Sequence, residues 1–278
     1  MLARPATVIR VRPLAAALLA ALALATPAAA GEISGARALD TVRALAGFGP
    51  RPAGSPNERR ARDLVTARLR ALGYRVVVQR VPLPQGGSSA NVVAVPRGLP
   101  RVLLVAHLDG VRAGPAANDN ASGVAVLLEL ARALRGEAGV LLAVTGAEER
   151  VETGSRSHLG AVRLLRGLSR DGRASIRLAL SIDMVGVGET LHVRGLEISP
   201  NRSARLVLAQ GRATYLRDNG ASDHAELTRA GLPAAWLEWR DDRCWHSACD
   251  RTSRVIPARL ARAGELALAA ARAALATR

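Results

Sequence analysis

Residues 102–109 read VLLVAHLD, and this stretch decides the fold class. Residues 102–106 form a short run that is apolar throughout, which is typical of a strand buried on both faces in a helix-covered parallel sheet. His107 and Asp109 follow this run at once. Because ligands bind beyond the carboxyl ends of strands in such sheets, these two polar residues are the first candidates for a functional site.

The alternation of strands and helices extends along the chain on both sides of this strand. Further short segments predict strands at residues 74–81, 91–95, 139–145, 176–182, 191–194 and 234–238. Segments with helical periodicity predict helices at residues 36–46, 57–72, 122–134, 157–168, 201–213 and 257–276. Together they predict a single α/β domain, in which a mostly parallel mixed β-sheet carries helices on both faces and the active site lies at the carboxyl ends of the strands.

Candidate metal ligands follow two more of these strands. Glu148 and Glu149 come shortly after one strand, and Asp183 comes directly after the next. Neighbouring glutamates are ordinarily solvated, an aspartate that closes a strand is a frequent capping residue, and His107 with Asp109 is equally consistent with a surface ion pair. Each of these residues therefore has an ordinary explanation when it is considered alone.

Two further candidates lie outside the strands. Asp119, in the run NDNAS at the start of a predicted helix, is either a helix N-cap or a ligand. His246 lies in a short loop between two cysteines. With the residues at the strand ends, these two complete a set of two histidines and three carboxylates, which suits a pair of zinc ions. Such a pair requires one bridging carboxylate and one glutamate that stays free to move protons.

These residues occur in ordered motifs that resemble one known family. The motifs are His107-x-Asp109, Asp119-Asn120-Ala121-Ser122-Gly123, Glu148-Glu149 with Gly154-Ser155, Asp183-Met184-x-Gly186, Ser222-Asp223-His224, and His246 with Asp250. In order and spacing they resemble the di-zinc aminopeptidases of the secreted bacterial leucyl aminopeptidase type, a family that also includes the animal glutaminyl cyclases. The Gly49-Pro50-Arg51 loop and the strand near residue 91 extend the resemblance towards the N-terminus.

The resemblance implies a role for each candidate ligand. His107 and Asp183 would bind one Zn²⁺, Glu149 and His246 would bind the other, and Asp119 would bridge the two ions. The predicted cofactors are therefore two Zn²⁺.

The resemblance also implies how the reaction is catalysed. Glu148 would be the general base, which takes a proton from the attacking water and passes it to the leaving amine. Asp109 would support His107. The peptide bond after Asp119 is predicted to be strained and cis, because the family often has such a bond there. The implied activity is that of a metallo-aminopeptidase, a hydrolase that removes the first residue of a peptide with a free N-terminus.

One departure from the peptidase pattern favours a second function. The residue before His246 is Trp245, where the peptidases often have tyrosine, and a Trp-His pair is more like the glutaminyl cyclases. The run from Asp119 to Gly123 is more like the peptidases. The alternative function is that of a glutaminyl-peptide cyclotransferase, which would release ammonia without cleaving a peptide bond. Carboxypeptidase or dipeptidase specificity also stays open.

The remaining aromatic and histidine residues suggest a substrate pocket. Four residues are predicted to bind substrate: the tryptophans Trp245 and Trp239, and His224 and Asp223 of the Ser222-Asp223-His224 motif. His158 and His192 are predicted to be surface residues or satisfied core residues, and Trp236 is predicted to pack in the core.

Residues 1–30 are predicted to be a signal peptide. Arg4, Arg10 and Arg12 precede an apolar run over residues 14–25, and an Ala-x-Ala site ends at Ala30. An uncleaved membrane anchor is the alternative. Cleavage near Ala30 would leave residues 31–278 as a di-zinc metallopeptidase domain that touches a membrane only during export and is secreted or periplasmic in the cell envelope.

Composition narrows the class of partner. The formal charge is +16, and all 39 basic residues are arginine, spread evenly along the chain. Nucleic-acid binders concentrate basic residues in a patch, so no nucleic-acid partner is expected. A monomer is expected.

Cys244 and Cys249 are predicted to form a disulfide in an exported protein, and a pair of zinc thiolates is the alternative.

Overall fold

The computed structural model describes residues 33–149 and 157–277. The predicted signal peptide and the Gly154-Ser155 part of one motif lie outside the described residues. Eight helices occur in the described part: α1 (Gly35–Ala46), α2 (Pro56–Ala71), α3 (Gly123–Ala133), α4 (Leu159–Arg166), α5 (Arg170–Ser175), α6 (Arg202–Leu208), α7 (His224–Arg229) and α8 (Pro257–Ala276). Eight strands accompany them: β1 (Val76–Pro82), β2 (Ser88–Ala94), β3 (Val102–His107), β4 (Val140–Thr145), β5 (Leu178–Ile182), β6 (Thr190–Gly195), β7 (Thr214–Arg217) and β8 (Ala234–Arg240).

The strands form one mixed sheet in the order β1-β2-β4-β3-β5-β8-β6-β7. The four central strands β4, β3, β5 and β8 are parallel, whereas β2 joins β4, and β6 joins β8, in antiparallel fashion. The carboxyl ends of the central strands therefore meet at one edge of the sheet. This arrangement confirms the predicted mostly parallel α/β domain and places the residues after β3, β4 and β5 side by side.

Alternate residues of the central strands pack into two separate cores, one on each face of the sheet. In β3, Val102, Leu104 and Ala106 pack into the larger core with residues of α1, α3 and α8. Leu103 and Val105 face the opposite way and pack with residues of α4 and α7. A strand that buries both faces must be apolar at every position, which is why residues 102–106 contain no polar side chain.

Differences from the sequence-based prediction are confined to short elements. The predicted helix over residues 201–213 ends at Leu208, because Thr214–Arg217 instead pair with β6 as a parallel strand. Helices α5 and α7 were not predicted; each has only six residues. No helix in the described part of the chain has both the length and the apolar character needed to cross a bilayer.

Candidate active site

Five of the predicted site residues converge beyond the carboxyl ends of the central strands. The Nε2 atom of His107 lies 3.1 Å from Asp119 Oδ1 and 3.3 Å from Asp183 Oδ1. The Nε2 atom of His246 lies 3.2 Å from Asp119 Oδ2 and 3.0 Å from Glu149 Oε2. The two sets of three residues thus share Asp119, which points one carboxylate oxygen at each histidine.

The turn that carries Asp119 is held by hydrogen bonds from other loops. The carboxylate of Asp250 accepts the backbone N–H of Asn118 at 2.7 Å and of Asp119 at 3.0 Å. The Asp119–Asn120 peptide bond is cis, as predicted. The side chain that accepts the N–H of Gly123, at the start of α3, is Asn120, not Asp119. Asp119 is therefore not the N-cap of α3, and its carboxylate is free to face the two histidines.

The same turn also positions the loop that follows β5. Asn120 donates to the carbonyl of Ile182, and Ser122 Oγ accepts the N–H of Val185 at 2.9 Å. A side chain at Gly123 would collide with the carbonyl of Ile182, so glycine is required where the turn and the strand end approach each other. These contacts fix the position of Asp183 relative to Asp119.

Asp109 contributes in a different way from the one the sequence predicts. The ring Nδ1 of His107 lies 3.1 Å from the backbone carbonyl of Asp109 and 3.8 Å from its carboxylate. The carboxylate oxygens accept the backbone N–H groups of Glu148, at 3.0 Å, and Glu149, at 3.1 Å. Asp109 thus orients the His107 ring chiefly through its main chain, and its fully buried side chain holds the loop that carries both glutamates.

His158 contacts Glu148, although the sequence suggested only a surface or core histidine. Its Nε2 atom lies 3.1 Å from Glu148 Oε1, and its backbone N–H donates to the Glu148 carbonyl at 2.7 Å. Burial, with the charges of His224 and His107, lowers the pKa of His158 to about 4. A neutral imidazole can therefore donate one N–H to Glu148. Sequence spacing gave no sign of this contact.

A second residue that the sequence analysis left without a role is Arg51. Its side chain is fully buried and donates to the carbonyls of Leu45, Leu108, Pro115 and Ala116. Burial lowers its pKa to about 10, which still leaves it charged at neutral pH. The guanidinium ties the loop after β3 to the turn before Asp119. An arginine inside an otherwise Gly- and Pro-rich loop was the available signal.

The loop that carries His246 is closed by a disulfide between Cys244 and Cys249, as predicted. The Cα atoms of the two cysteines are 5.3 Å apart. The ring of Trp245 stacks on the imidazole of His246 with centroids 4.1 Å apart, although 57% of Trp245 is exposed. The cysteines are therefore bonded to each other rather than available as thiolate ligands.

Several loops of the site hold non-glycine residues in the left-handed backbone region. Among the described residues with φ between +53° and +78° are five next to or within the site: Ala147, His158, Met184, Asp241 and His246. Such conformations cost about 1–3 kcal/mol each and persist where the surrounding structure enforces them. Their concentration here indicates that the fold positions these loops for function.

A cavity of about 380 Å³ opens directly over the five converging residues. Glu148 also lines it, and the rest of its wall is formed by Met184, Arg194, Ala221, Trp236, Glu238, Arg240, Asp241, Asp242 and Trp245. A larger cavity, of about 880 Å³, lies at the amino ends of β3, β4 and β5 and contains no histidine or carboxylate among its lining residues. The smaller cavity is therefore the candidate site.

Of the four predicted pocket residues, only Trp245 lines this cavity. The indole of Trp239 instead donates to the backbone carbonyl of Arg259 and packs against the larger core. Asp223 and His224 are fully buried behind the wall, where Asp223 accepts a hydrogen bond from Thr145. Trp236 is buried, as predicted, and one side of it also lines the cavity.

Two buried side chains of opposite charge form part of the cavity wall. Arg194 Nη1 donates to Glu238 Oε2 at 2.8 Å, and the guanidinium lies 4.2 Å from the centre of the Trp236 ring. The side chains are 13% and 7% exposed. Burial raises the pKa of Glu238 to about 7, although Arg194 opposes the increase.

The electrostatics of the converging residues indicate that positive charge belongs among them. Burial raises the pKa of Glu148 well above its ordinary value, and burial together with the charge of Asp119 raises the pKa of Glu149 to about 7. Burial alone would also raise the pKa of Asp119, but hydrogen bonds with both histidines hold it below its ordinary value. Several carboxylates in one buried site repel one another unless cations or protons intervene.

The donor atoms fit divalent cations. His107, Asp119 and Asp183 offer ligand atoms that all lie within 4.8 Å of one another, and so do Asp119, Glu149 and His246. A third group, His107, Glu148 and Glu149, meets the same distance but does not include Asp119. Asp183 Oδ1 is buried and makes no hydrogen bond to any residue that the structure describes, so it has capacity for a cation. Mixed imidazole and carboxylate donors of this kind suit zinc.

Comparison with known proteins shows one consistent family likeness. The model of Peptidase family M28 matches residues 91–271. Aminopeptidase YwaD of Bacillus subtilis is 28% identical over an alignment of 206 residues, which covers 66% of this chain and 44% of that protein. The chain spans about half the length of the curated relatives it matches, 44% and 55% for two of them.

Solved structures share the fold. The structure of a zinc aminopeptidase from Bacillus subtilis superposes with a TM-score of 0.80 at 19% identity, covering 87% of this chain and 95% of that one. A glutaminyl cyclase from Bacteroides thetaiotaomicron superposes with a TM-score of 0.75 at 20% identity, covering 86% and 98%. The fold is thus common to proteins of both kinds.

Proposed function

The chain belongs to peptidase family M28, and from this membership we propose that it is a zinc-dependent aminopeptidase. Its substrate is a peptide with a free N-terminus, and it hydrolyses the first peptide bond. One observation carries the proposal: two sets of ligands share Asp119, and Glu148, which belongs to neither set, lies beside them in the same cavity. A di-metal hydrolase needs this combination of a shared carboxylate and a separate base.

Two Zn²⁺ are the proposed cofactors. His107 and Asp183 would hold one ion, Glu149 and His246 the other, and Asp119 both. When bound, the ions supply a water of lowered pKa and polarise the scissile carbonyl. This assignment rests on the positions of the donor atoms and on the unpaired oxygen of Asp183.

Glu148 is proposed as the general base. Its Oε2 atom lies 4.0 Å from His107 Nε2, so it is next to the ligands without belonging to either set that shares Asp119. It would take the proton of the attacking water and return it to the leaving amine.

The test of the proposal is a digest of a mixed peptide library with the zinc-loaded protein, read by mass spectrometry. Successive loss of first residues supports the aminopeptidase. Trp245 stacks on His246, and this Trp-His pair is the observation that favours the alternative, a glutaminyl cyclase. Loss of ammonia from peptides that begin with glutamine, with every peptide bond intact, would support the cyclase instead of the aminopeptidase. A digest in which no first residue is released would overturn the proposal.

We also propose that the protein acts outside the cytoplasm, after removal of residues 1–30. The disulfide between Cys244 and Cys249 supports this location, because such bonds persist in oxidising compartments.

Replacing His158 by alanine is expected to lower kcat by about 10- to 100-fold with little change in KM, because a hydrogen bond to a charged group typically contributes that much. Glu148 would lose its donor, while both sets of zinc ligands stay intact. His158→Gln, whose side-chain amide can donate in the same direction, is expected to restore most of the activity. Steady-state kinetics and zinc content of both variants check the prediction.

An equal loss of kcat in the alanine and glutamine variants would contradict this role. Thermal unfolding of both variants serves as the control, because a purely structural histidine would alter stability without separating the two substitutions.

Replacing both Cys244 and Cys249 by serine is expected to weaken the binding of one zinc ion by about 10- to 100-fold, the effect typical of groups that orient a metal ligand. The disulfide closes the loop that carries His246, and no other proposed ligand lies in that loop. Competition with a zinc-binding dye measures the affinity of each site. Equal weakening of both sites, or two reactive thiols in the unreduced native protein, would contradict the prediction.

A further inference from the structure

The part of the cavity wall that contains no proposed metal ligand is unusually polar for a pocket that receives a side chain. Ligand pockets are lined mainly by apolar and aromatic residues. Besides the five proposed metal ligands and Glu148, nine residues line the cavity, and five of these are charged: Arg194, Glu238, Arg240, Asp241 and Asp242. Arg240 and Asp241 are exposed at the rim, whereas Arg194 and Glu238 lie deep in the wall.

Strand pairing explains how these two charges reach the cavity. Alternate residues of β8, Trp236 and Glu238, line the cavity, whereas Leu237 between them packs into the core. The antiparallel neighbour β6 places Arg194 directly opposite Trp236. The Arg194–Glu238 pair is thus built into the sheet on rigid strands rather than carried on a mobile loop.

The hydrogen bonding of the pair is incomplete. Glu238 Oε2 accepts from Arg194 Nη1, and Glu238 Oε1 makes no side-chain hydrogen bond within the described residues. Arg194 Nε is buried and lies 4.0 Å from Asp218 Oδ2 without forming a hydrogen bond. Glu238 thus keeps one unused acceptor oxygen, and the guanidinium of Arg194, which lines the cavity, keeps N–H donors that Glu238 does not use.

These properties of the pair favour some classes of substrate over others, according to the side chain of the substrate's N-terminal residue. An apolar side chain would cover the pair without offering it a hydrogen-bond partner, which is costly for buried polar groups. A charged side chain would bring a further charge into a buried site whose charged groups already pair with one another, and its desolvation would cost free energy. A side-chain amide carries both a carbonyl acceptor and an N–H donor, so it complements Arg194 and Glu238 together.

We propose that the Arg194–Glu238 pair forms the subsite for the first side chain of the substrate and selects glutamine or asparagine over apolar and charged residues. The inference rests on the proposed function, since it names the substrate class of the same site. It assigns specificity to residues that bind no metal and move no proton in the reaction.

The experiment measures kcat/KM of the zinc-loaded protein on peptides that differ only in the first residue: glutamine, leucine, glutamate or lysine. Glutamine and leucine have similar volume, and glutamine and glutamate have nearly the same shape, so the comparison isolates hydrogen bonding and charge. The glutamine peptide is expected to exceed each of the others by at least about tenfold, because a site built to hydrogen-bond a substrate rejects analogues that lack the group.

Two variants test whether the preference for glutamine depends on the Arg194–Glu238 pair. Glu238→Gln keeps the shape of the side chain and removes the carboxylate, so the ratio of glutamine to leucine is expected to fall towards one. The double variant Arg194→Met with Glu238→Met removes both charges together, which proteins often tolerate when a buried ion pair is replaced by apolar residues. It is expected to favour leucine. Glu129→Gln is the matched control, because Glu129 is equally buried and paired with Arg37 but does not line the cavity.

The outcomes separate the inference from the proposed function. Leucine cleaved as well as glutamine, or an unchanged ratio in the double variant, overturns the inference and leaves the aminopeptidase intact. Selective loss of ammonia from the glutamine peptide supports the subsite and overturns the aminopeptidase. If no peptide reacts, the proposed function is overturned. Binding is then measured instead, and the proposed subsite is overturned as well if the glutamine peptide does not compete with the leucine peptide for binding.

Discussion

Glu148→Gln is expected to lower kcat by about 10²–10⁴-fold while the protein keeps its full zinc content. Glutamine is nearly isosteric with glutamate, so the substitution preserves the shape of the site. It removes only the ability to accept a proton from water. The backbone N–H of residue 148 still donates to Asp109, and that hydrogen bond keeps the loop in place.

The neighbouring residue provides the matched control. Glu149 is adjacent in sequence but lies 3.0 Å from His246, among the second set of ligands. Glu149→Gln is therefore expected to reduce zinc content together with activity. Zinc per protein molecule and peptide turnover should be measured for both variants. If Glu148→Gln hydrolyses peptides at nearly the normal rate, Glu148 is not the base and the proposed mechanism is wrong, even though the fold is unaffected.

Asp119→Asn is expected to impair zinc binding at both sites. Activity is expected to fall at least as much as it does on loss of the base, that is, by at least about 10²–10⁴-fold. Asp119 is the one residue shared by the two ligand sets, with a different oxygen facing each histidine. An amide offers one oxygen, and its nitrogen cannot bind a cation. Replacing Asp119 therefore affects both ions at once.

Stability gives a readout of this prediction that does not depend on activity. A ligand that binds only the folded state at 100 times its Kd adds about 2.7 kcal/mol to the free energy of unfolding. Zinc is expected to raise the Tm of the wild-type protein by a corresponding amount and to have much less effect on Asp119→Asn. The matched control is Asp241→Asn, an acidic residue of the same cavity outside both ligand sets. Equal zinc-dependent increases of Tm in Asp119→Asn and the wild type would contradict the bridging role.

The central strands and the candidate ligands were both predictable from the sequence, for related physical reasons. A parallel strand covered on both faces is apolar at nearly every position, so β3, β4 and β5 stand out as short, mostly apolar runs. A polar residue directly after such a run lies at the edge where strands end, so His107 and Asp183 were readily assigned. The ordered motifs then identified Asp119 as a candidate bridge between the two ions.

Contacts between separate loops of the chain were not predictable in this way. His158 follows Glu148 by ten residues, yet it reaches back to the glutamate because its backbone N–H binds the Glu148 carbonyl. Arg51 binds four carbonyls that belong to three separate parts of the chain. Neither contact has a periodicity or spacing that a linear pattern could show.

The positions of Trp236 and Trp239 show most directly what the sequence could not predict. Side chains in a strand alternate between the two faces, so the sequence determined that Trp236 and Glu238 share one face of β8 and that Trp239 lies on the other. Which face meets the cavity depends on the pairing of β8 with β5 and β6 and on the helices that cover each side. The sequence by itself determined the apolar strands, the polar residues at their ends and the alternation along β8. Only the tertiary structure decided which strands are neighbours, and hence that Arg194 and Glu238 face the site, because sheet order is set by long-range packing that leaves no local pattern in the chain.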